Sequence, residues 1–325
     1  MLNGIVLPLI IVPLYWKLRN QPEYFFLFSL CIGILAFFTL LITWMLRQGK
    51  KSAPELMART LTFWWMVALF LISLTTHAAL TALFLAIFSA LALYEYLSFG
   101  SKFSRPMLAF ALLQVPANLA LHYFGQSALS PVYFFLLAAL VVPTILVLQN
   151  NPESALLRYG HLVSGLAFFV FSLGYAAALA HQTIMVLLLC FFLTEVRDLS
   201  SYWLGKLLAR LESGRPWLQS LNPKIAPLVS PNKTWGVGFL SVLLLMAVAL
   251  ALSPLLPTEE PGFLLGWAAL IGFLGLIGDL VFSMFKRQFG LKDSGHFMPG
   301  ATGVIDRMDA LVLTIPTTYF LFTYF

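Results

Sequence analysis

Eight charged residues fall between positions 279 and 309 of a 325-residue chain that is only 10% charged. They are Asp279, Lys286, Arg287, Lys292, Asp293, Asp306, Arg307 and Asp309, set along and between the apolar stretches 262–285 and 310–325. Charge at a membrane edge is costly to desolvate and is mostly kept for function. Carboxylates alternating with cations suit a polyphosphate held through a divalent metal, with hard oxygens for the metal and Lys or Arg for the phosphates. On a helix, Asp279, Ser283 and Lys286 recur at i, i+4 and i+7 and share one face. Asp306 and Asp309, an i, i+3 pair opening the last apolar stretch, are spaced to converge on one ion. The Gly-rich turn at 300–303 lets backbone approach a ligand closely. A plain interfacial charge belt would need no aspartate at 279, inside an otherwise apolar helix, so a metal–phosphate site is the preferred reading.

Two further polar strings precede this one. In Glu195-Val-Arg-Asp198-Leu-Ser-Ser-Tyr202, a helical spacing brings Glu195, Asp198 and Tyr202 to one face, which suits either nucleotide binding or a wet helix end. In Ser230-Pro-Asn-Lys233-Thr234-Trp-Gly236, Pro231 opens a turn and Lys233 offers an ammonium beside hydroxyls and amides able to cradle phosphate. The apolar helix that follows would present its anion-favouring N-terminus. The alternative is a helix entry with a snorkelling lysine.

These strings must be positioned by membrane helices. The chain is 60% hydrophobic, with a mean hydropathy of +0.90, well above the roughly half apolar share of a soluble domain. Spans of roughly 20 apolar residues fit at 24–46, 60–76, 78–98, 105–124, 130–149, 160–181, 183–205, 236–256, 262–285 and 309–325. A shorter candidate at 3–18 lacks a charged leader and a cleavage site, and reads as a retained segment that spans or lies along the interface. The expected fold is all-α and polytopic, with about ten transmembrane helices. Residues 1–181 form a packing region and 182–325 a catalytic region, with cytoplasmic loops at 206–235 and 286–308. Placing the loop at 47–59 inside puts 17 of the 19 Lys and Arg on the cytoplasmic side, leaving only Lys17 and Arg19 outside. That bias and anionic headgroups account for the net charge of +6 without a nucleic-acid partner. Cys31 and Cys190 read as packing residues. Glu95, the only carboxylate deep in the early spans, is expected to hydrogen-bond structurally rather than catalyse; pairing with a basic site residue is the alternative.

The third string resembles the signature of the phosphatidate cytidylyltransferase (CDP-diacylglycerol synthase) family, S-x-x-K-R-x4-K-D followed by P-G-H-G-G-x-x-D-R-x-D. Ser283, Lys286, Arg287, Lys292, Asp293, Pro299, Gly300, Gly303, Asp306, Arg307 and Asp309 match in register. Residues 230–236 resemble its S-P-K-K-T-W-E-G, with Asn232 and Gly236 as variations. Asp198 to Gly205 resemble D-x-x-A-Y-x-x-G, with Ser201 for Ala. One departure stands out: Ala301-Thr302 replace the family's His-Gly, which suggests a specialised member acting on a variant lipid phosphate. His296 could lean in for the lost imidazole, or be an exposed loop histidine.

The resemblance implies transfer of a cytidylyl group from CTP to phosphatidate, forming CDP-diacylglycerol and pyrophosphate at a bacterial inner membrane. It implies Mg2+ on Asp279, Asp306 and Asp309, with room for a second cation, and catalytic roles for Asp279, Lys292, Asp306 and Asp309. Asp198, Ser230, Lys233, Thr234, Ser283, Lys286, Arg287 and Arg307 would bind the substrates. Asp293 reads as a metal ligand or as a partner fixing Lys292, with the second preferred. CTP, the lipid phosphate and membrane lipids are the expected partners, and a homodimer is allowed. The rival readings are a transporter using Asp279, a degenerate scaffold, and a CTP-using lipid kinase.

Overall fold

The computed structural model describes residues 22–50, 53–54, 56–57, 60–61, 64, 67, 78–100, 103–213, 215, 222–255, 260–292, 294–295 and 303–325. The segment 3–18, most of 60–76, and Asp293, His296, Pro299, Gly300, Ala301 and Thr302 lie outside them.

Among the described residues the apolar runs fold as α-helices: α1 (Pro22–Arg47), α2 (Ala78–Leu97), α3 (Arg105–Tyr123), α4 (Ser130–Leu136), α5 (Val142–Leu148), α6 (Ala155–Gly165), α7 (Leu173–Glu212), α8 (Trp235–Ala251), α9 (Pro261–Gln288), the single turn α10 (Ile305–Met308) and α11 (Leu311–Tyr324). Among the described residues, four helical runs are long and apolar enough to cross a bilayer: 25–47, 127–148, 155–212 and 261–288. Thr81–Leu97 and Trp235–Ala251 are shorter apolar helices. The 58-residue run from Ala155 is far longer than one crossing needs. Thr183, at φ −151° and ψ 92°, interrupts it where the sequence divides 160–181 from 183–205.

Large apolar side chains are left outside, among them Phe37, Leu40, Leu113, Phe135, Val147 and Leu156. Water would penalise such a surface and lipid would not, so the molecule has the character of a membrane protein. Between helices that lipid already solvates, packing and internal hydrogen bonds do the holding. α7 is the hub, packing against α2, α3, α8, α9 and α11. Two π turns, Leu137–Val141 and Leu166–Ser172, interrupt the α-helical register. Side chains meet the carbonyls that the second presents: the Ser89 hydroxyl donates to Phe169 O, and Asn118 Nδ2 to Val170 O at 3.0 Å. A buried carbonyl without a partner would cost about 1–3 kcal/mol.

Two features place the charged strings. α9 ends in a turn where Gly290 takes φ +70° and Leu291 N–H closes onto Lys286 O at 2.8 Å. Glycine adopts that left-handed conformation without strain. Lys286 and Arg287 thus sit in the last turn, where cations complement the helix dipole. Within the 206–235 segment, a two-stranded antiparallel ribbon joins β1 (Lys224–Ala226) to β2 (Ser230–Thr234), with Lys224 facing Thr234 and Ala226 facing Ser230. The sequence reading gave only a turn at Pro231. The ribbon delivers Lys233 and Thr234 directly to the N-terminus of α8.

Candidate active site

Asp279 lies at the start of the last third of α9, and Lys233 reaches it from β2, its Nζ forming an ion pair with Asp279 Oδ2. Two turns further along α9, Lys286 Nζ meets Asp306 Oδ1 at 2.5 Å. The Asp306 carboxylate has a second task. Its Oδ2 accepts the Ser294 and Gly303 N–H groups, each at 3.2 Å. Burial alone would push the Asp306 carboxyl up, but Lys286 and the surrounding donors hold it below its usual value of 3.8.

Asp309 is buried and its Oδ1 accepts the Ala310 N–H at 2.8 Å. Its backbone carbonyl runs against α9 so tightly that a Cβ on Gly278 would stand 2.2 Å from the Asp309 oxygen. This contact seats Asp309 beside Asp279, and the Asp309 carboxyl feels the charges of Asp279, Asp198, Lys286 and Asp306. Asp198, on α7, is paired with Arg197, whose side chain is only 2% exposed. The electrostatics of Asp198 also include Asp279 and Lys233.

The structure therefore brings Asp198, Lys233, Asp279, Lys286, Asp306 and Asp309 into one electrostatic cluster, joining all three sequence strings. Thr234 adds a buried hydroxyl at the N-cap of α8 that has no hydrogen-bond partner among the described residues. Ser230 opens β2 and Ser283 lies half-buried on α9. Arg287 is exposed and donates to the carbonyls of Val229 and Leu291, at 3.4 and 3.3 Å, so in this arrangement it ties the ribbon to the end of α9. Lys292 is exposed just beyond that end.

The expected convergence of Asp279, Asp306 and Asp309 on one ion is not preformed. Among the described residues no three Asp, Glu, His or Cys groups are arranged as a ready metal-binding set. The reason is visible in the pairs above: Asp279 is closed by Lys233, and Asp306 by Lys286 and two amides. The donor chemistry nevertheless fits a hard cation. Asp198, Asp279, Asp306 and Asp309 supply clustered carboxylate oxygens, donors of the kind Mg2+ prefers.

Beside the cluster lies a cavity of about 650 Å3. Its apolar wall comes from α1 and α7, including Phe28, Leu35, Ile42, Leu188 and Phe191. Its other end is charged, lined by Lys50, Glu195, Asp198, Lys206, Arg210 and Arg307. Lys206 sits 4.2 Å over the Tyr202 ring, which also lines the cavity. Asp198 belongs to both the cavity and the carboxylate cluster.

Three contributions were missed in the sequence. Arg197 was visible only as one letter within its string; its complete burial beside Asp198 is what marks it. Lys206 and Arg210 follow Asp198 at i+8 and i+12, a helical recurrence that a longer window would have exposed. Glu95 hydrogen-bonds as expected, but to the backbone N–H of Val304 and not to a basic residue.

Comparison with known proteins agrees with this geometry. Residues 57–325 match the sequence model of the Cytidylyltransferase family. A protein of Escherichia coli (strain K12) named Uncharacterized protein YnbB is 30% identical over 285 residues, covering 86% of this chain and 91% of that protein. Phosphatidate cytidylyltransferase of Brucella abortus biovar 1 is 30% identical over 249 residues, 65% of this chain and 83% of its own length. That of Synechocystis sp. is 38% identical over 138 residues, 42% of this chain and 43% of its own. Since the match runs through α7, the ribbon and the whole charged corner, the chain belongs to the cytidylyltransferase family.

Proposed function

We propose that this chain transfers the cytidylyl group of CTP to phosphatidate or a related lipid phosphate. A lipid phosphate oxygen attacks the α-phosphorus, a new P–O bond forms, the bond to the bridging oxygen of the β-phosphate breaks, and pyrophosphate leaves with its electron pair. The observation that carries this reading is the cavity: its apolar wall suits acyl chains, and its charged end merges at Asp198 with the carboxylate–lysine cluster. The names of the Brucella and Synechocystis relatives point to the same chemistry.

No covalent intermediate with the protein is required, so positioning and charge stabilisation would carry catalysis. Lys206, Arg210 and Arg307 would take the lipid phosphate at the cavity end. Lys233, with the Thr234 hydroxyl at the α8 N-terminus, would take the nucleotide phosphates, assisted by Lys286 and Lys292. Asp279 and Asp309 would hold Mg2+, with Asp306 joining after exchange of its Lys286 contact. Bound Mg2+ would supply neutralisation of the phosphate oxygens. Lys50, Lys206, Arg210 and Arg307 all line the cavity although they come from three separate segments, each assigned to the cytoplasm by charge bias. That clustering supports a site facing the cytoplasm, where CTP is available.

The test is incubation of purified protein with radiolabelled CTP, Mg2+ and a panel of lipid phosphates. CDP-lipid and pyrophosphate in equal amounts are expected. Release of CDP with a phosphorylated lipid would replace the reading with a lipid kinase, and no CTP turnover on any lipid phosphate would overturn it.

A further inference from the structure

Glu95 stands on α2, in the half of the chain that carries none of the signature strings, and is only 3% exposed. A carboxylate buried that deeply is costly unless hydrogen bonds receive it. Its Oε2 accepts the Val304 N–H at 2.7 Å, a bond spanning 209 positions of sequence and of the short length typical of a charged acceptor. Its Oε1 faces Gly303: a Cβ there would lie 1.7 Å from that oxygen and 2.0 Å from the Ser294 hydroxyl. A Cβ on Gly295 would lie 3.0 Å from the same oxygen. The carboxylate thus rests against backbone at 295 and at 303–304, while Asp306 takes the adjoining Ser294 and Gly303 amides. Only glycine at 303 leaves room for both carboxylates to close on one strip of backbone.

α2 is itself immobilised at this point. Tyr96 is buried, its hydroxyl 2.8 Å from Ser164 Oγ and its ring against Phe169, Phe282 and Phe285. His161 Nε2 meets Tyr96 O at 2.9 Å. Glu95 is therefore a fixed post against which the backbone leading into Asp306 and Asp309 is held.

We propose that Glu95 is a positioning residue for the transfer reaction: its carboxylate holds Val304 and Gly303 so that Asp306 meets Lys286 and Asp309 stays beside Asp279. The role in transfer rests on the cytidylyltransferase reading; the holding itself does not.

Two variants weaken or remove the bond from opposite ends. Glu95→Gln keeps the shape and an acceptor oxygen but removes the charge that strengthens the bond. Val304→Pro removes the donor at a residue whose φ of −64° proline already matches. Amide exchange of Gly303 to Asp309, read by mass spectrometry on the full-length protein in detergent or nanodiscs, should quicken about tenfold or more in each variant, the loss expected for one hydrogen bond to a charged group. Exchange in α8 should not move. The double variant should be no worse than the more affected single one, because both act on one interaction. In the CTP assay, kcat should fall by a similar factor while KM for CTP changes less than twofold. Unchanged exchange at 303–309, or additive effects in the double variant, would overturn the proposal whether or not the protein turns over CTP. Quickened exchange with unchanged kcat would leave Glu95 a structural clamp and overturn its role in transfer. If neither lipid phosphate nor CTP is consumed by wild type while the exchange result holds, the function reading fails and the clamp stands.

Discussion

At the residue scale, chemistry turns on how charge is compensated. Lys233 and Lys286 each close a carboxylate, so the cluster is an arrangement of ion pairs and not an open cage. On the proposed reading, a bound cation would displace or share those lysines, which would then be free for phosphate. This makes Asp279 and Asp309 the residues least replaceable. Asp279→Asn and Asp309→Asn, each in folded protein, should reduce CDP-lipid formation by about 100-fold or more, the scale on which charge-stabilising groups act. Calorimetric titration of Mg2+ should show weakened binding in the same variants; near wild-type turnover in either would remove that residue from the site. A second expectation concerns Ala301-Thr302, which replace the family's His-Gly. Restoring His-Gly should raise kcat/KM on ordinary phosphatidate if the replacement costs a proton donor or orienting group. No gain would mean the charge is supplied by groups such as Arg197 or Arg307. The register of Asp279, Ser283 and Lys286 on one helix face was legible because helical spacing is local. The pairing of Lys233 with Asp279 was not, since it joins residues 46 positions apart through a ribbon with no sequence alternation to announce it.

At the scale of elements, the site depends on two backbones in contact: α9 at Gly278 and the corner at Asp309. Gly278→Ala would force a Cβ into the Asp309 carbonyl, which no rotamer change can relieve, and overpacking of this kind costs about 1–3 kcal/mol. The expected result is a lowered thermal midpoint and a loss of transfer activity of tenfold or more. Gly266→Ala, on the same helix with no heavy atom within 4 Å of its Cβ position, is the control. It should be neutral or stabilise by up to about 1 kcal/mol, since alanine is the better helix former. Equal effects of the two substitutions would mean that the Gly278 contact does not matter. The apolar runs read from sequence coincide closely with α1, α2, α3, α8, α9 and α11, because continuous apolar runs bounded by polar or turn-forming residues fold as helices. The division near 182 survives as the break at Thr183. What sequence could not give were the π turns and the ribbon. A π turn changes one hydrogen-bond register without changing residue type, and Ser230–Thr234 carries a proline and no β-branched run.

At the scale of the whole molecule, the N-terminal half is more than packing. It supplies Glu95 behind the charged corner and, through α1, one wall of the cavity. A transporter would gather its charges near the midplane between repeated halves; here they lie at one end of an amphipathic cavity, beside a face of exposed apolar side chains. That arrangement suits a lipid entering sideways with its phosphate toward Lys206 and Arg210. If the α1–α7 wall receives acyl chain, narrowing it should discriminate by chain length and leave nucleotide handling alone. Leu35→Trp is the direct probe, because Leu35 lines the cavity from α1, which carries none of the clustered carboxylates. Each buried CH2 group is worth about 0.8 kcal/mol, so displacing two or three of them should lower kcat/KM on a dioleoyl lipid phosphate by about tenfold or more. A dioctanoyl lipid phosphate, whose chains need not reach that wall, should lose less than threefold. KM for CTP should stay within twofold in both cases. Equal losses on long and short chains would show that the wall serves the fold and that the lipid approaches the charged corner by another face.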